Sequence, residues 1–95
     1  MTEIRAHVFL HPGTDPALDR TELDREGRRT LLVAVPDVLD APLVARALVE
    51  DEGVRLIELC GSFGPVDVAR VLEEVGEAAT VGHTTFPRPA STAGA

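Results

Sequence analysis

Apolar and polar residues alternate from Glu3 to Leu10: Ile4, Ala6, Val8 and Leu10 share one face, and Arg5, His7, Phe9 and His11 the other. That period of two predicts a strand. His11 to Ala17 carries two prolines and a glycine and must be a loop. Leu18 to Arg29 fits either a solvated helical turn or a strand entering a hairpin at Asp24-Arg25-Glu26-Gly27, and the hairpin is preferred. Thr30 to Val35, apolar after its first residue and stopped by Pro36, predicts a buried strand.

Further along, the period changes. Asp40 is placed to cap a helix whose apolar stripe is Leu43, Val44, Ala47 and Leu48 and whose far end is closed by Gly53. Val54 to Cys60 predicts another strand. Gly64-Pro65 then opens a helix in which Val68, Val71, Leu72 and Val75 recur at helical spacing until Gly76, and Ala79 to Phe86 predicts the last strand.

Strand, helix, strand, helix, strand from Thr30 to Phe86 amounts to two overlapping crossover units, with their three parallel strands expected side by side. The expected fold class is α/β: a small, open, mainly parallel sheet of four to five strands with two helices on one face. Residues 1–86 form the single domain, and the tail 87–95, with nothing to bury, is expected to be disordered. A sheet covered on one side only leaves a face that a second copy or a ligand must cover, so a homo-oligomer and a small-molecule ligand are the expected partners.

Composition narrows the classes. The apolar fraction is 44% but only three residues are aromatic, so Val, Leu, Ile and Ala must build the core. The net charge of −7, with nine bases that are all arginine and form no stripe, argues against nucleic acid. No apolar run reaches the ~20 residues that span a bilayer, and Met1 to Leu10 lacks the pattern of a secretion signal. With one cysteine, Cys60, no internal disulfide framework can form, and a cytoplasmic protein is expected.

Three groups of residues carry candidate chemistry. Glu58-Leu59-Cys60-Gly61-Ser62-Phe63-Gly64-Pro65 sits where a parallel strand runs into a helix, the position at which open α/β sheets hold ligands. Gly61, Ser62, Phe63 and Gly64 are candidate ligand contacts there, with free amides of the helix start suited to an anion and a thiol at Cys60 that a helix start would activate. The plain alternative is a tight turn with a small buried cysteine. Glu58, a carboxylate inside an apolar strand, needs a partner or a proton if it is buried, which makes it the candidate acid-base residue or, equally, half of a structural ion pair.

The histidines form the third group: His7 in the first strand, His11 at its end and His83 in the last. If their side chains converge with Glu58 on the uncovered face, they make a polar pocket for proton transfer. Their spacing matches no metal motif, and neither metal nor organic cofactor is expected. Asp15, Asp37 and Asp40 are expected as loop and cap residues near the same sheet edge.

The stretch Ile57-Glu58-Leu59-Cys60-Gly61-Ser62-Phe63-Gly64, followed by Val68-Ala69-Arg70-Val71, resembles a family of small bacterial α/β proteins classed as a domain of unknown function. Members read Glu-Leu-Cys-Gly-Gly-Phe-Gly here, and Ser62 stands in place of the second of those glycines. The resemblance runs from the first strand through Pro12-Gly13-Thr14-Asp15-Pro16 to Val81-Gly82. It implies a fold and a site, with no activity attached. From Glu58, the histidines and the glycine turn themselves, the expected function is an acid-base isomerase, cyclase or lyase acting on an anionic metabolite. The alternatives are a binding module without turnover and a structural homo-oligomer.

Overall fold

Alternation in the first segment becomes β1, Glu3–Leu10, in a computed structural model that describes residues 3–88 and 90. The ambiguous segment is a hairpin. β2, Arg20–Arg25, runs antiparallel to β3, Arg28–Val35, through a turn with Glu26 at φ 54° and Gly27 at φ 77°. Two consecutive positive φ angles match the right-handed twist of the strands they join.

After a short 3-10 turn, Val38–Asp40, comes α1, Ala41–Glu52, then β4, Leu56–Leu59, α2, Pro65–Val75, a 3-10 turn Gly76–Ala78, and β5, Thr80–His83. The described residues form one sheet ordered β2-β3-β1-β4-β5, parallel except for β2. The expected side-by-side placement of the last three strands is corrected: β1 lies between β3 and β4. An eight-residue strand already paired in parallel with β3 occupies that position, so the α1 connection passes across it.

The last two strands are shorter than their apolar runs. Even so, Arg55 N donates to Ile4 O at 3.0 Å and Cys60 N to Val8 O at 3.1 Å on either side of β4, and Thr84 N donates to Leu59 O beyond β5. Pairing thus reaches past the formal strand ends. The tail expectation falls mostly outside the described residues.

A single apolar cluster joins Ala6, Val8, Leu31, Val33, Val35, Ile57 and Leu59 of the sheet to Ala41, Ala45 and Leu48 of α1 and to Val71 and Val75 of α2. Each Val, Leu or Ile removed from water contributes roughly 1.5–3 kcal/mol before entropy is set against it. The helices lean on each other as well as on the sheet. Arg46 of α1 reaches Glu50 at 3.0 Å and Glu74 of α2 at 3.3 Å.

The inward stripe of α1 is rotated from the expected one. Ala41, Ala45 and Leu48 are buried, whereas Leu43 is 68% exposed and Ala47 is exposed. Alanines on that face let the helix sit close to its neighbours. In α2, Leu72 is likewise exposed. Asp40 stands at the N-cap of α1 without a side-chain capping bond. Asp37 caps instead, accepting from Leu39 N at 2.8 Å, one turn earlier. Gly53 closes the helix in the left-handed conformation, φ 75°.

Candidate functional site

β1 and β4 are neighbours whose outgoing connections diverge: the chain leaves β1 toward β2 and β3, and leaves β4 toward α2 and β5. Open α/β sheets hold ligands at such a switch point, at the carboxyl ends of the strands. His7 and Glu58 are direct partners in the β1–β4 register, and the period of two puts both on the face away from the helices. His7 Nδ1 lies 3.2 Å from Glu58 Oε2, with the two side chains 40% and 42% exposed.

Glu58 is therefore not buried on both sides, so the condition under which it would have needed a partner or a proton is not met. A histidine partners it, in place of the arginine that an ordinary structural ion pair would use. Arg5, two residues before His7 on the same face, adds positive charge nearby. Its guanidinium is held above its ordinary pKa first by a hydrogen bond to Glu3 and, among lesser causes, by the field of Glu58. Arg5 Nε is the one buried side-chain nitrogen or oxygen without a partner among the described residues.

A cleft of about 110 Å³ opens beside the pair, lined by His7, Phe9, Glu58, Cys60 and Thr84 and by the backbone-adjacent Val8 and Leu59. Larger hollows exist, one of about 270 Å³ between Ala17, Arg20 and the end of α1, another of about 380 Å³ at the hairpin tip. Their charged lining is arginine and carboxylate with no histidine, and a guanidinium does not give up its proton, so proton-transfer chemistry favours the smaller cleft. Gly82, the register partner of Glu58, keeps the floor low: a Cβ there would meet Glu58 Cγ at 3.9 Å.

Of the three histidines only His7 meets Glu58. His83 pairs with Leu59 and so belongs to the opposite, helix-side parity at the sheet edge. His11 is exposed beyond the end of β1, its Nδ1 3.1 Å from Pro12 O. The condition that all three converge with Glu58 is met by His7 alone, because the register gives residues 58 and 83 opposite faces. Among the described residues no group of three or more His, Cys, Asp or Glu side chains could hold a metal ion.

The glycine turn divides. Cys60 is partly buried, unbonded to another cysteine, and lines the open-face cleft, away from the face that carries α2. Gly61 lies under the ring of Phe86, and Ser62 is exposed. Phe63 is only 2% exposed and belongs to the core, so its expected role as a ligand contact is corrected: the turn drives that ring under the sheet. Gly64 N donates to Asp67 Oδ2 at 2.8 Å, so the start of α2 already holds a carboxylate. A second anion at that spot would meet its charge. None of Gly61, Ser62 and Gly64 has a positive φ, and serine therefore fits position 62 without strain.

Sequence reading passed over Arg5, Thr84 and Phe86 as site residues. Arg5 had a usable signal, its alternation with His7, whereas Thr84 and Phe86 enter through tertiary placement alone. Asp15 and Asp37 are turn formers as expected: Asp15 Oδ1 accepts from Ala17 N at 2.9 Å.

An open, mostly parallel five-strand sheet with two helices, and a His7–Glu58 contact on its open face, defines a small α/β protein. The chain belongs to a family of unknown function, DUF6506, whose model matches residues 4–94. No curated protein and no solved structure matches it significantly. No helix among the described residues is long and apolar enough to cross a membrane.

Proposed function

We propose that the open sheet face is a small-molecule site at which His7 and Glu58 transfer protons, in an isomerase, cyclase or lyase acting on an anionic metabolite. The observation that carries this reading is the 3.2 Å contact between an imidazole and a carboxylate at the switch point of the sheet. A carboxylate beside a histidine orients the ring and sets which nitrogen carries the proton, the arrangement that general acid-base catalysis uses. With the helix start occupied by Asp67, the positive charge that draws an anion is supplied by Arg5. Cys60, free and lining the same cleft, fits the reducing cytoplasm.

A second reading has its own support. A cleft of about 110 Å³ is well below the ~300–1,000 Å³ that encloses a metabolite. Half-buried Phe9 lines it and half-buried Leu32 and Leu56 lie on the same open face, which favours a homo-oligomer in which another copy completes the site or replaces the ligand. Native mass spectrometry and a thermal-shift panel of carboxylate and phosphate metabolites, run on wild type and Glu58→Gln, separate these readings. A ligand that raises the wild-type melting temperature, and whose effect is lost in Glu58→Gln, supports the site. A change of oligomer size in Glu58→Gln with no ligand response supports the interface.

A further inference from the structure

Two sets of hydrogen bonds fix which way the backbone groups of β2 point. Glu3 N donates to Gly27 O at 3.1 Å and His11 N to Val35 O at 2.9 Å, so the odd-numbered residues of β3 turn their backbone toward β1. Ala34 N donates to Asp19 O at 3.2 Å, so the even-numbered residues turn toward β2. Thr21, Leu23 and Arg25 stand opposite Leu32, Thr30 and Arg28 and therefore point inward. Arg20, Glu22 and Asp24 present their N–H and C=O groups to the free edge of the sheet. Of these, Asp24 O is engaged only by the exposed side chain of Arg25.

All six residues of β2 are exposed, and the strand has neither proline nor bulge to block pairing. We propose that β2 is a self-association edge, pairing antiparallel with β2 of a second copy about a two-fold axis at Glu22, so that two sheets become one. The inference is independent of the proposed function.

Charge selects both the occupant and the register. About an axis normal to the sheet, opposed residues must lie on the same face, which restricts the centre to a residue. Centred on Leu23, Glu22 would face Asp24 of the second copy twice, a repulsive arrangement. A Thr21-centred pairing would match Arg20 with Glu22 but engage only the first three residues of the strand. Centred on Glu22, Arg20 faces Asp24 of the second copy at both ends, and Thr21 covers Leu23, which is 59% exposed in the single chain.

All three outward-pointing residues then exchange backbone hydrogen bonds. The two Glu22 carboxylates that meet at the axis are each neutralised from within their own chain. Arg29 Nη2 and Nε hold Glu22 at 2.6 Å and 3.1 Å. A strand whose charges are complementary to its own reverse fits a second copy better than an unrelated peptide.

The test is charge exchange on the full chain, read by native mass spectrometry with circular dichroism as the fold control. Wild type is expected to be dimeric, and Arg20→Asp and Asp24→Arg each monomeric. The double variant is expected to dimerise again. Mixing the two single variants should give a heterodimer, because each supplies the charge the other lacks. Asp24→Arg removes no side-chain bond within the fold, so it remains informative if Arg20→Asp, which loses the Arg20 Nε to Pro16 O bond, folds poorly. A monomeric wild type, an oligomer indifferent to both single variants, or single variants that fail to combine would overturn the proposal.

Discussion

Phe86 covers Gly61 so closely that a Cβ at position 61 would overlap the ring, with Cζ at 2.7 Å. The ring is 66% exposed and can swing aside, so the conflict is cheap to relieve. Gly61→Ala is expected to cost about 1 kcal/mol, the low end of overpacking penalties. In a Phe86→Ala background the same change should cost nearly nothing, since Gly61 has no positive φ to protect. Urea denaturation of the four members of this cycle measures the coupling. Additive effects would remove Phe86 from its assigned position over the turn.

Much of this fold was legible because its elements have clean periods. Alternation in β1 announced that Arg5, His7 and Phe9 share a face, and Gly53 and Gly76 marked both helix ends. Strand order was not legible: nothing local in Thr30 to Cys60 says that β1 intervenes between β3 and β4, since that depends on a pairing between distant segments. Which candidate side chains meet was not legible for a related reason. His83 is one strand away from Glu58, and whether it joins His7 rests on a register that a shift of one residue would invert. Phe63 was misread because an aromatic between glycines suits a ligand and a core equally. Its burial is decided by how the turn enters α2.

Acid should weaken the chain through its exposed ion pairs. Hydrogen bonds from Arg29 hold the Glu22 carboxyl below its ordinary pKa of 4.5, and those from Arg5 do the same for Glu3. A carboxyl depressed in the folded state stabilises it fully above 4.5, and that contribution disappears as pH falls through the folded value. Arg29→Met, which keeps the apolar stem, is expected to lower stability at pH 7 and to flatten the decline on acidification. Urea midpoints at pH 7 and pH 3, in low and high salt, report it. Parallel declines for wild type and variant would mean that screening leaves the pair without effect.

Glu26 holds φ 54° in the hairpin turn, the one positive φ outside glycine among the described residues. Left-handed backbone costs an ordinary L-residue roughly 1 kcal/mol, while asparagine and glycine accept it readily. Asn-Gly is the favoured pair for this two-residue connection. Glu26→Asn is thus expected to raise stability by about 0.5–1 kcal/mol in urea without changing the far-ultraviolet spectrum. An unchanged or lower midpoint would show that the turn is not held in this geometry in solution.

Leu48 and Leu43 lie on the same helix and differ in what they touch. Leu48 is 1% exposed within the cluster that joins α1 to the sheet, and its carbonyl also receives the N–H of Val54 at 3.1 Å as the helix closes. Leu43 is 68% exposed. Truncating a fully buried leucine removes its transfer free energy and leaves a cavity, so Leu48→Ala is expected to cost about 2–5 kcal/mol. For Leu43→Ala the change should stay within about 0.5 kcal/mol. In a chain of 95 residues with a small core, the first loss is large enough to leave much of the protein unfolded at 37 °C. Thermal melts of the two variants side by side test the rotation of α1 directly. Equal losses would place Leu43 in the core and return the helix to the stripe its sequence first suggests.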